Sequence, residues 1–158
     1  LAAPVTWTLD LEEAQTLRRY LSNGGFLMAD DFWGREAIEN VLEQLTKVFP
    51  ERQVQELTLD HPIFHVVFDL KEMPQVPDIH SWRGGSSYEV RRGDMTDHAP
   101  HFLGLFDDRG RLMALLCHNN DLGDGWEREG ENEDYFRQFS ERWSYPMGIN
   151  ILVYAMTH

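Results

Sequence analysis

The spacing of hydrophobic residues in the first third of the chain predicts a helix followed by a strand. Apolar residues recur at helical intervals from Leu11 to Leu21. Asp10 precedes them, and Glu13 stands three residues after it, which is the spacing of a capping box. A pair of glycines ends this helix, because glycine accepts the left-handed backbone beyond a C-cap. The all-apolar run Phe26–Ala29 then predicts a buried strand.

The same spacing analysis predicts a second helix and two further strands. The helix runs from about Arg35 to Val48, and Pro50 stops it. Val54–Leu57 is short enough to be an edge strand. Ile63–Leu70 is rich in β-branched and aromatic residues, which favours a strand.

The middle of the chain changes character, since 71–100 is punctuated by prolines and glycines and is predicted to be irregular. A strand around Tyr88–Val90 is the exception we expect there. Two apolar runs follow, His101–Phe106 and Arg111–Cys117, joined by a turn that contains glycine. This arrangement predicts a β-hairpin.

The chain closes with a polar loop and a helix. The glycine-rich loop covers His118–Gly130, and the helix runs from Glu133 to about Met156, with Pro146 expected to kink or divide it. Helix and strand therefore alternate through one domain, residues 1–158. The pattern predicts an α/β three-layer sandwich with a mixed, mostly parallel central sheet.

Composition narrows the classes of partner. The chain has 158 residues with a formal net charge of −13, which repels phosphate backbones and anionic lipid. Nucleic acid is therefore excluded as a partner, and no apolar run is long enough for membrane insertion of this segment. Any small-molecule or protein partner and any cofactor stay unknown. Because the first residue is Leu1, we expect a mature form or fragment of a longer protein.

Four segments in order resemble one protein family. They are Gly24–Gly34, Asp60–His65, Asn120–Glu127 and Gly148–Ala155. Together they resemble the bacterial domain-of-unknown-function family 4159. The resemblance implies a flavodoxin-like fold, similar to class I glutamine amidotransferases, and no established activity. It also implies a domain that often follows membrane segments or a secretion signal, and that usually has a further strand and helix ahead of Asp10.

The amidotransferase comparison places the nucleophile at the end of the strand that follows the first glycine stop. Asp30 and Asp31 occupy that place here, and Cys117 lies elsewhere without the glycines of a nucleophile elbow. Ordinary glutamine amidotransferase activity is therefore not expected.

Strand-end carboxylates are the first candidates for chemistry. Asp30 and Asp31 stand where open α/β sheets bind ligands, and they could bind a cation, accept hydroxyl hydrogen bonds or act as a base. The alternative is that one caps the next helix and the other is solvated. His61 and His118 are the candidate catalytic partners. His61 and His65 are too far apart along a strand to share a metal ion, so no metal site is predicted from them.

The loop after the hairpin is the second candidate region. An EF-hand is rejected because Leu122 occupies a ligand position and no helix precedes the loop. Arg91 and Arg92 could bind an anion or pair with nearby aspartates. The predicted ligand-binding residues are Asp31, Trp33, Asn120, Asp121, Asp124, Trp126 and Glu127.

Three functions remain open. The first is a ligand-binding domain that forms a soluble module of a bacterial envelope or membrane-associated protein, periplasmic or membrane-attached rather than free in the cytoplasm. The second is a hydrolase that uses Asp30 or Asp31 with a histidine partner. The third is an interaction domain that uses Trp33, Trp82 and Trp126 as a partner surface. We expect Asp30, Asp31 and the 120–127 loop to converge on one edge of the sheet, and His61 to join them if Ile63–Leu70 runs antiparallel or its loop folds back over that edge.

Overall fold

A four-stranded sheet runs through the protein in the computed structural model, which describes residues 1–89 and 97–158. The strands lie in the order β1-β4-β3-β2 and cover Leu27–Phe32 (β1), Gln55–Glu56 (β2), His101–Phe106 (β3) and Leu112–His118 (β4). β1 and β4 are parallel, whereas β4–β3 and β3–β2 are antiparallel. The mixed sheet and the hairpin are confirmed. A mostly parallel sheet is not confirmed, since one of the three strand pairs in the described ranges is parallel.

Helices cover both faces of this sheet. On one face Val41 packs with Leu116 of β4, and on the other Ile151 packs with Leu115. Asp10 and Glu13 form the predicted capping box at the start of the first helix. The helices are α1 (Leu11–Ser22), α2 (Gly34–Val48), α3 (Ile79–Arg83), α4 (Asp124–Glu127), α5 (Glu133–Tyr135) and α6 (Tyr145–Thr157), with 3₁₀ turns at Pro4–Thr6 and Pro62–Phe64.

The predicted strand Ile63–Leu70 is wrong. Its first residues form the 3₁₀ turn Pro62–Phe64, and the rest is a series of turns. The backbone amides of Val67 and Phe68 donate to the side-chain oxygen of Asn150, 3.1 and 2.8 Å away, in place of a neighbouring strand. This partner lies more than 80 positions later in the chain, so local β propensity could not reveal it.

Two other segments differ from the sequence prediction in detail. Pro146 was expected to kink or divide the closing helix. The helix changes type at this place, since a π-helical stretch, Phe136–Ser144, ends directly before α6. Pro146 has no amide hydrogen to donate, and it lies directly after the place where the helical hydrogen-bond pattern changes. In the predicted strand Tyr88–Val90, the first two residues have irregular backbone and Val90 lies outside the described residues.

Helix α4 is held close to the π-helical stretch by Gly125, and this contact yields a testable prediction. A Cβ at Gly125 would lie 1.9 Å from Oγ and 2.5 Å from Cβ of Ser144. Gly125→Ala should therefore force backbone movement and lower the free energy of unfolding by about 1–3 kcal/mol. Gly130→Ala is the matched control, because nothing lies within 4 Å of its added Cβ. Urea unfolding measures both, and equal stabilities for the two variants would refute the close contact.

Candidate functional site

A bulge in β1 places two consecutive carboxylates at the carboxyl edge of the parallel pair. Ala29 pairs with Leu116 and Phe32 pairs with His118, so three steps along β1 match two along β4. The additional residue is accommodated by Asp31, whose φ of 57° is left-handed. Aspartate tolerates this conformation better than most residues. Bulges of this kind redirect side chains and are common beside functional sites.

Beyond β4 the chain turns back against the bulge. Asn119 is also left-handed, with φ 54°, and its backbone amide donates to the Phe32 carbonyl at 2.9 Å. The Asp31 amide donates in turn to the Asn120 carbonyl at 3.0 Å. The two strand ends are therefore tied together by backbone hydrogen bonds, and the loop that follows returns to the bulge.

The two asparagines that make this connection are buried and use their amide groups within the protein. Asn119 Oδ1 accepts from the Gly34 amide at 2.9 Å, and its Nδ2 donates to the carbonyls of Asp97 and Ala99. The Asn120 side chain accepts from the backbone of Val76 and donates to that of Pro74. Each side chain therefore replaces backbone partners for a segment that has no strand of its own.

Three carboxylates from distant parts of the chain meet beside the bulge. Asp31, Glu89 and Asp121 each offer a carboxylate oxygen within 4.8 Å of the other two. Glu89 and Asp121 are buried, and Asp31 is half-buried. We call these three residues the carboxylate cluster. Oxygen ligands at this spacing suit a hard divalent cation or a polar ligand with hydroxyl or amino groups.

Asp30 lies next to this cluster and is buried as well. Its side chain is 7% exposed, and Oδ2 accepts from the Gly123 amide at 2.9 Å. A Cβ built at Gly123 would lie 3.4 Å from Asp121 Oδ1 and 3.6 Å from Asp30 Oδ2. The Asp30 and Asp121 carboxylates thus approach the same backbone point from two sides.

Burial and mutual repulsion shift the ionisation of both groups. Burial raises the pKa of Asp30 to about 7, although backbone amides, chiefly that of Gly123, oppose the shift. Burial, followed by the charge of Asp31, raises the pKa of Asp121 to about 9. Both pKa values lie above the usual aspartate value because taking a carboxylate out of water disfavours its charged form. The site therefore holds a proton at neutral pH more readily than a surface carboxylate does.

The expected convergence holds for Asp30, Asp31 and Asp121 and fails for His61. The His61 ring lies 6.0 Å from that of Phe106, whose partner Leu112 is the first residue of β4, at the opposite edge of the sheet. The expectation depended on the strand Ile63–Leu70, which does not form, so His61 sits instead before a 3₁₀ turn.

His118 lies at the correct edge, with its ring turned towards the start of α2. Its Nε2 lies 3.0 Å from the Gly34 carbonyl, and the ring packs 5.3 Å from that of Phe32. Burial lowers the pKa of His118, which favours the neutral imidazole. Cys117 is buried too, and burial raises the pKa of its thiol well above its usual range. A thiol held in this form is a poor nucleophile.

The remaining predicted ligand-binding residues occupy different surroundings. Asp124 accepts from the Ile79 amide at 2.9 Å and adds to the negative potential that raises the pKa of Asp121. Trp33 is fully buried, and Glu127 is exposed. Trp126 is half-buried and packs on α6, where a Cβ at position 148 would lie 2.6 Å from its ring.

Trp126 also borders an apolar cavity that the sequence did not predict. The cavity has a volume of about 340 Å³. It is open to solvent, and its apolar lining contrasts with the acidic side chains of the carboxylate cluster. Its lining consists of Met28, Trp126, Tyr145, Gly148, Ile149, Ile151 and Leu152.

Glu89 is the cluster residue that sequence reasoning missed. It lies in the irregular region 71–100, where it has no periodic neighbours and no spacing to other acidic residues that resembles a ligand motif. Arg91 and Arg92, the candidate anion-binding residues that follow it, lie outside the described residues. A carboxylate that is buried by long-range folding has no local signature, so only the tertiary structure could identify Glu89.

Fold and site together define a mixed α/β domain with a buried carboxylate cluster where its two parallel strands end. The family described as a domain of unknown function, DUF4159, matches residues 2–156, and the chain belongs to that family. Comparison with curated proteins gives no match. None of the described helices is both long enough and apolar enough to cross a membrane.

Proposed function

We propose that this domain binds a polar ligand at the carboxylate cluster. The observation that supports this most directly is the meeting of Asp31, Glu89 and Asp121 within 4.8 Å at the end of the parallel strand pair. Open α/β sheets bind their ligands outside the carboxyl ends of strands. Acidic side chains with shifted pKa values also concentrate at functional sites. A ligand with hydroxyl or amino groups, or a cation, matches this set of acceptors.

The domain would serve as a module of an envelope or membrane-associated protein. Support for this part comes from the family resemblance, because members of that family often follow membrane segments or a secretion signal. A flavodoxin-like fold related to class I glutamine amidotransferases belongs to the same proposal, supported by the parallel β1–β4 pair with helices on both faces of the sheet. Fractionation of cells expressing the full-length protein tests the location, and recovery in the cytosol alone would refute it.

Asp31→Asn is the variant that tests ligand binding. Asparagine tolerates the left-handed backbone at φ 57°, so we expect the fold to survive with nearly unchanged circular dichroism. Loss of one negative charge from the cluster should lower the affinity for a cationic or hydroxyl-rich ligand about tenfold or more. The measurement is the rise in melting temperature across a panel of sugars, amines and amino acids, in chelator-treated buffer and again in the same buffer with added CaCl₂.

Asp134→Asn provides the matched control, because it makes the same charge change at an exposed position in α5. Asp134→Asn should retain every thermal shift that the wild-type protein gives. The binding proposal fails if no compound shifts the wild-type protein, or if the two variants respond alike. Destabilisation of Asp31→Asn by several kcal/mol would instead identify Asp31 as a structural carboxylate.

A hydrolase is the second candidate, and the raised pKa values of Asp30 and Asp121 favour it. A carboxyl group that is protonated near neutral pH can donate a proton, while a neighbouring ionised carboxylate acts as base or nucleophile. The carboxylate oxygens of Asp31 and Asp121 are close enough for such a pair. The test is turnover of chromogenic esters, phosphates and glycosides by wild-type protein and Asp121→Asn. Equal rates for both would refute this candidate.

The interaction-domain alternative receives less support from the described residues. Trp33 is buried completely, and Trp82 and Trp126 are half-buried. Trp82 packs against Tyr135 with ring centroids 5.5 Å apart. The tryptophans thus pack within the domain and do not form one exposed aromatic patch.

A further inference from the structure

The spacing of the carboxylate cluster matches the ligand shell of a single metal ion. Two ligands on opposite sides of one ion are separated by twice the metal–oxygen distance, which is about 4.6–5.2 Å for Ca²⁺ and about 4.0–4.2 Å for Mg²⁺. The oxygens of Asp31, Glu89 and Asp121 all lie within 4.8 Å of one another, which is close enough for small side-chain movements to bring all three onto one ion.

A second observation comes from Asp30, which is not one of those three ligands. Its carboxylate is 93% buried, since only 7% is exposed, and it lies beside Asp121 at the Gly123 backbone. Oδ2 has its partner in the Gly123 amide, whereas Oδ1 has no hydrogen-bond partner among residues 1–89 and 97–158. A buried carboxylate oxygen without a partner is costly to maintain. A cation bound at the neighbouring cluster would lower this cost by its positive charge.

The donor atoms select the kind of cation. The cluster offers carboxylate oxygens, which suit Ca²⁺, Mn²⁺ and Mg²⁺ better than zinc or copper. The nearest softer groups are engaged or shielded elsewhere: the His118 ring faces the Gly34 carbonyl, and the Cys117 thiol is buried in the core. Three carboxylates leave several coordination positions for water or for oxygen atoms of a bound molecule.

We propose that Asp31, Glu89 and Asp121 bind one divalent, oxygen-preferring cation, with the buried Asp30 carboxylate adding negative charge beside Asp121. This inference rests on the proposed function, since it names the first ligand of the same site. Ca²⁺ and Mn²⁺ both accept such a set of oxygen ligands. Open positions on the ion would then hold an oxygen-containing organic ligand.

The experiment is titration of the chelator-stripped protein with MnCl₂, followed by electron paramagnetic resonance of free Mn²⁺, and with CaCl₂ by calorimetry. We expect one ion per chain, and a Kd at least tenfold weaker in Glu89→Gln and Asp121→Asn than in the wild-type protein. Asp134→Asn should match the wild type. Two ligand variants are used so that instability of one leaves the other as a readout, and circular dichroism verifies the fold of each.

Two results would overturn the proposal. One is the absence of Mn²⁺ and Ca²⁺ binding at millimolar concentration, which would mean that the chain balances these charges itself. The other is equal binding by Asp121→Asn and Asp134→Asn, which would indicate diffuse attraction to an acidic surface. If cations fail while a sugar or amine still gives an Asp121-dependent thermal shift, this inference falls and the proposed function stands. If cations bind at the cluster while every organic compound fails, this inference stands alone.

Discussion

Replacement of Asn119 by alanine should destabilise this protein by about 3–5 kcal/mol, a large part of the total stability of a typical domain. The Asn119 side chain is fully buried and holds the Gly34 amide and the carbonyls of Asp97 and Ala99. Alanine leaves all three backbone groups without their partner. It also has to occupy the left-handed conformation at φ 54°, which costs alanine about 1–2 kcal/mol because it lacks the short polar side chain that lets asparagine adopt this conformation.

Asn119→Gly separates these two contributions. Glycine removes the same hydrogen bonds but adopts the left-handed backbone freely, so it should be more stable than Asn119→Ala by about 1 kcal/mol. Urea unfolding at neutral pH measures both variants against the wild-type protein. If Asn119→Ala lost less than about 1 kcal/mol, water would have to replace the side chain without penalty, and the connecting role assigned to Asn119 would be wrong.

The second large effect concerns pH. In protein stripped of metal, the free energy of unfolding should fall by several kcal/mol between pH 5 and pH 9. Folding raises the pKa of Asp30 to about 7 and that of Asp121 to about 9, so the folded state binds more protons than the unfolded state in this range. Stability is then greatest at the acidic end and is lost as the pH rises through the folded-state values.

Asp121→Asn should flatten this pH dependence. Asparagine can still accept from the Asp124 amide, as Asp121 Oδ1 does at 2.9 Å, but it has no charge to desolvate. The variant should therefore be more stable than the wild-type protein at pH 8–9 and similar to it at pH 5. Urea unfolding at unit pH intervals with a chelator measures this. Parallel curves for the two proteins would show that Asp121 is not the titrating group, and Asp134→Asn should follow the wild type throughout.

Acidic groups in ion pairs have the opposite effect on how stability depends on pH. Their effect also lies outside the range from pH 5 to pH 9. The Glu51 carboxylate is exposed and pairs with Arg18, and this hydrogen bond lowers the pKa of Glu51 to about 2. Such groups favour the folded state above their unfolded-state pKa and lose that contribution as the pH falls towards 2. The difference between wild-type and Asp121→Asn between pH 5 and 9 is therefore specific to the cluster.

Local signals in the sequence predicted the parts of the fold that depend on near neighbours. The capping box at Asp10, the glycine stop before β1 and the turn that joins β3 to β4 all involve residues within a few positions of each other. The strand Ile63–Leu70 was predicted by composition, but its backbone is held by Asn150, far away in the chain. β propensity describes a surface that is available for pairing, and cannot say that a side chain will occupy it first.

In the candidate site too, the residues marked by local signals were predicted and those that depend on distant contacts were not. Asp30 and Asp31 lie at the carboxyl end of β1 and Asp121 follows β4, and the parallel arrangement of these two strands brings such positions to one end of the sheet. The contribution of Glu89 depends on the path of an irregular segment, and the pKa of Asp121 depends on burial, neither of which a single sequence encodes locally. Periodicity also gave no indication of the bulge, because one additional residue does not change the composition of a strand.

That additional residue has a consequence for how the site and the scaffold can vary. In a regular strand, side chains two positions apart share a face, so Ala29 and residue 31 would face the same helices. In this protein Ala29 and Phe32, which are three positions apart, pack in one core. The two aspartates between them are not part of that core. Removal of Asp31 would bring the phenylalanine into phase as residue 31 and leave a continuous parallel ladder. A chain shorter by this one residue would thus keep the sheet intact, and its carboxylate cluster would lack Asp31.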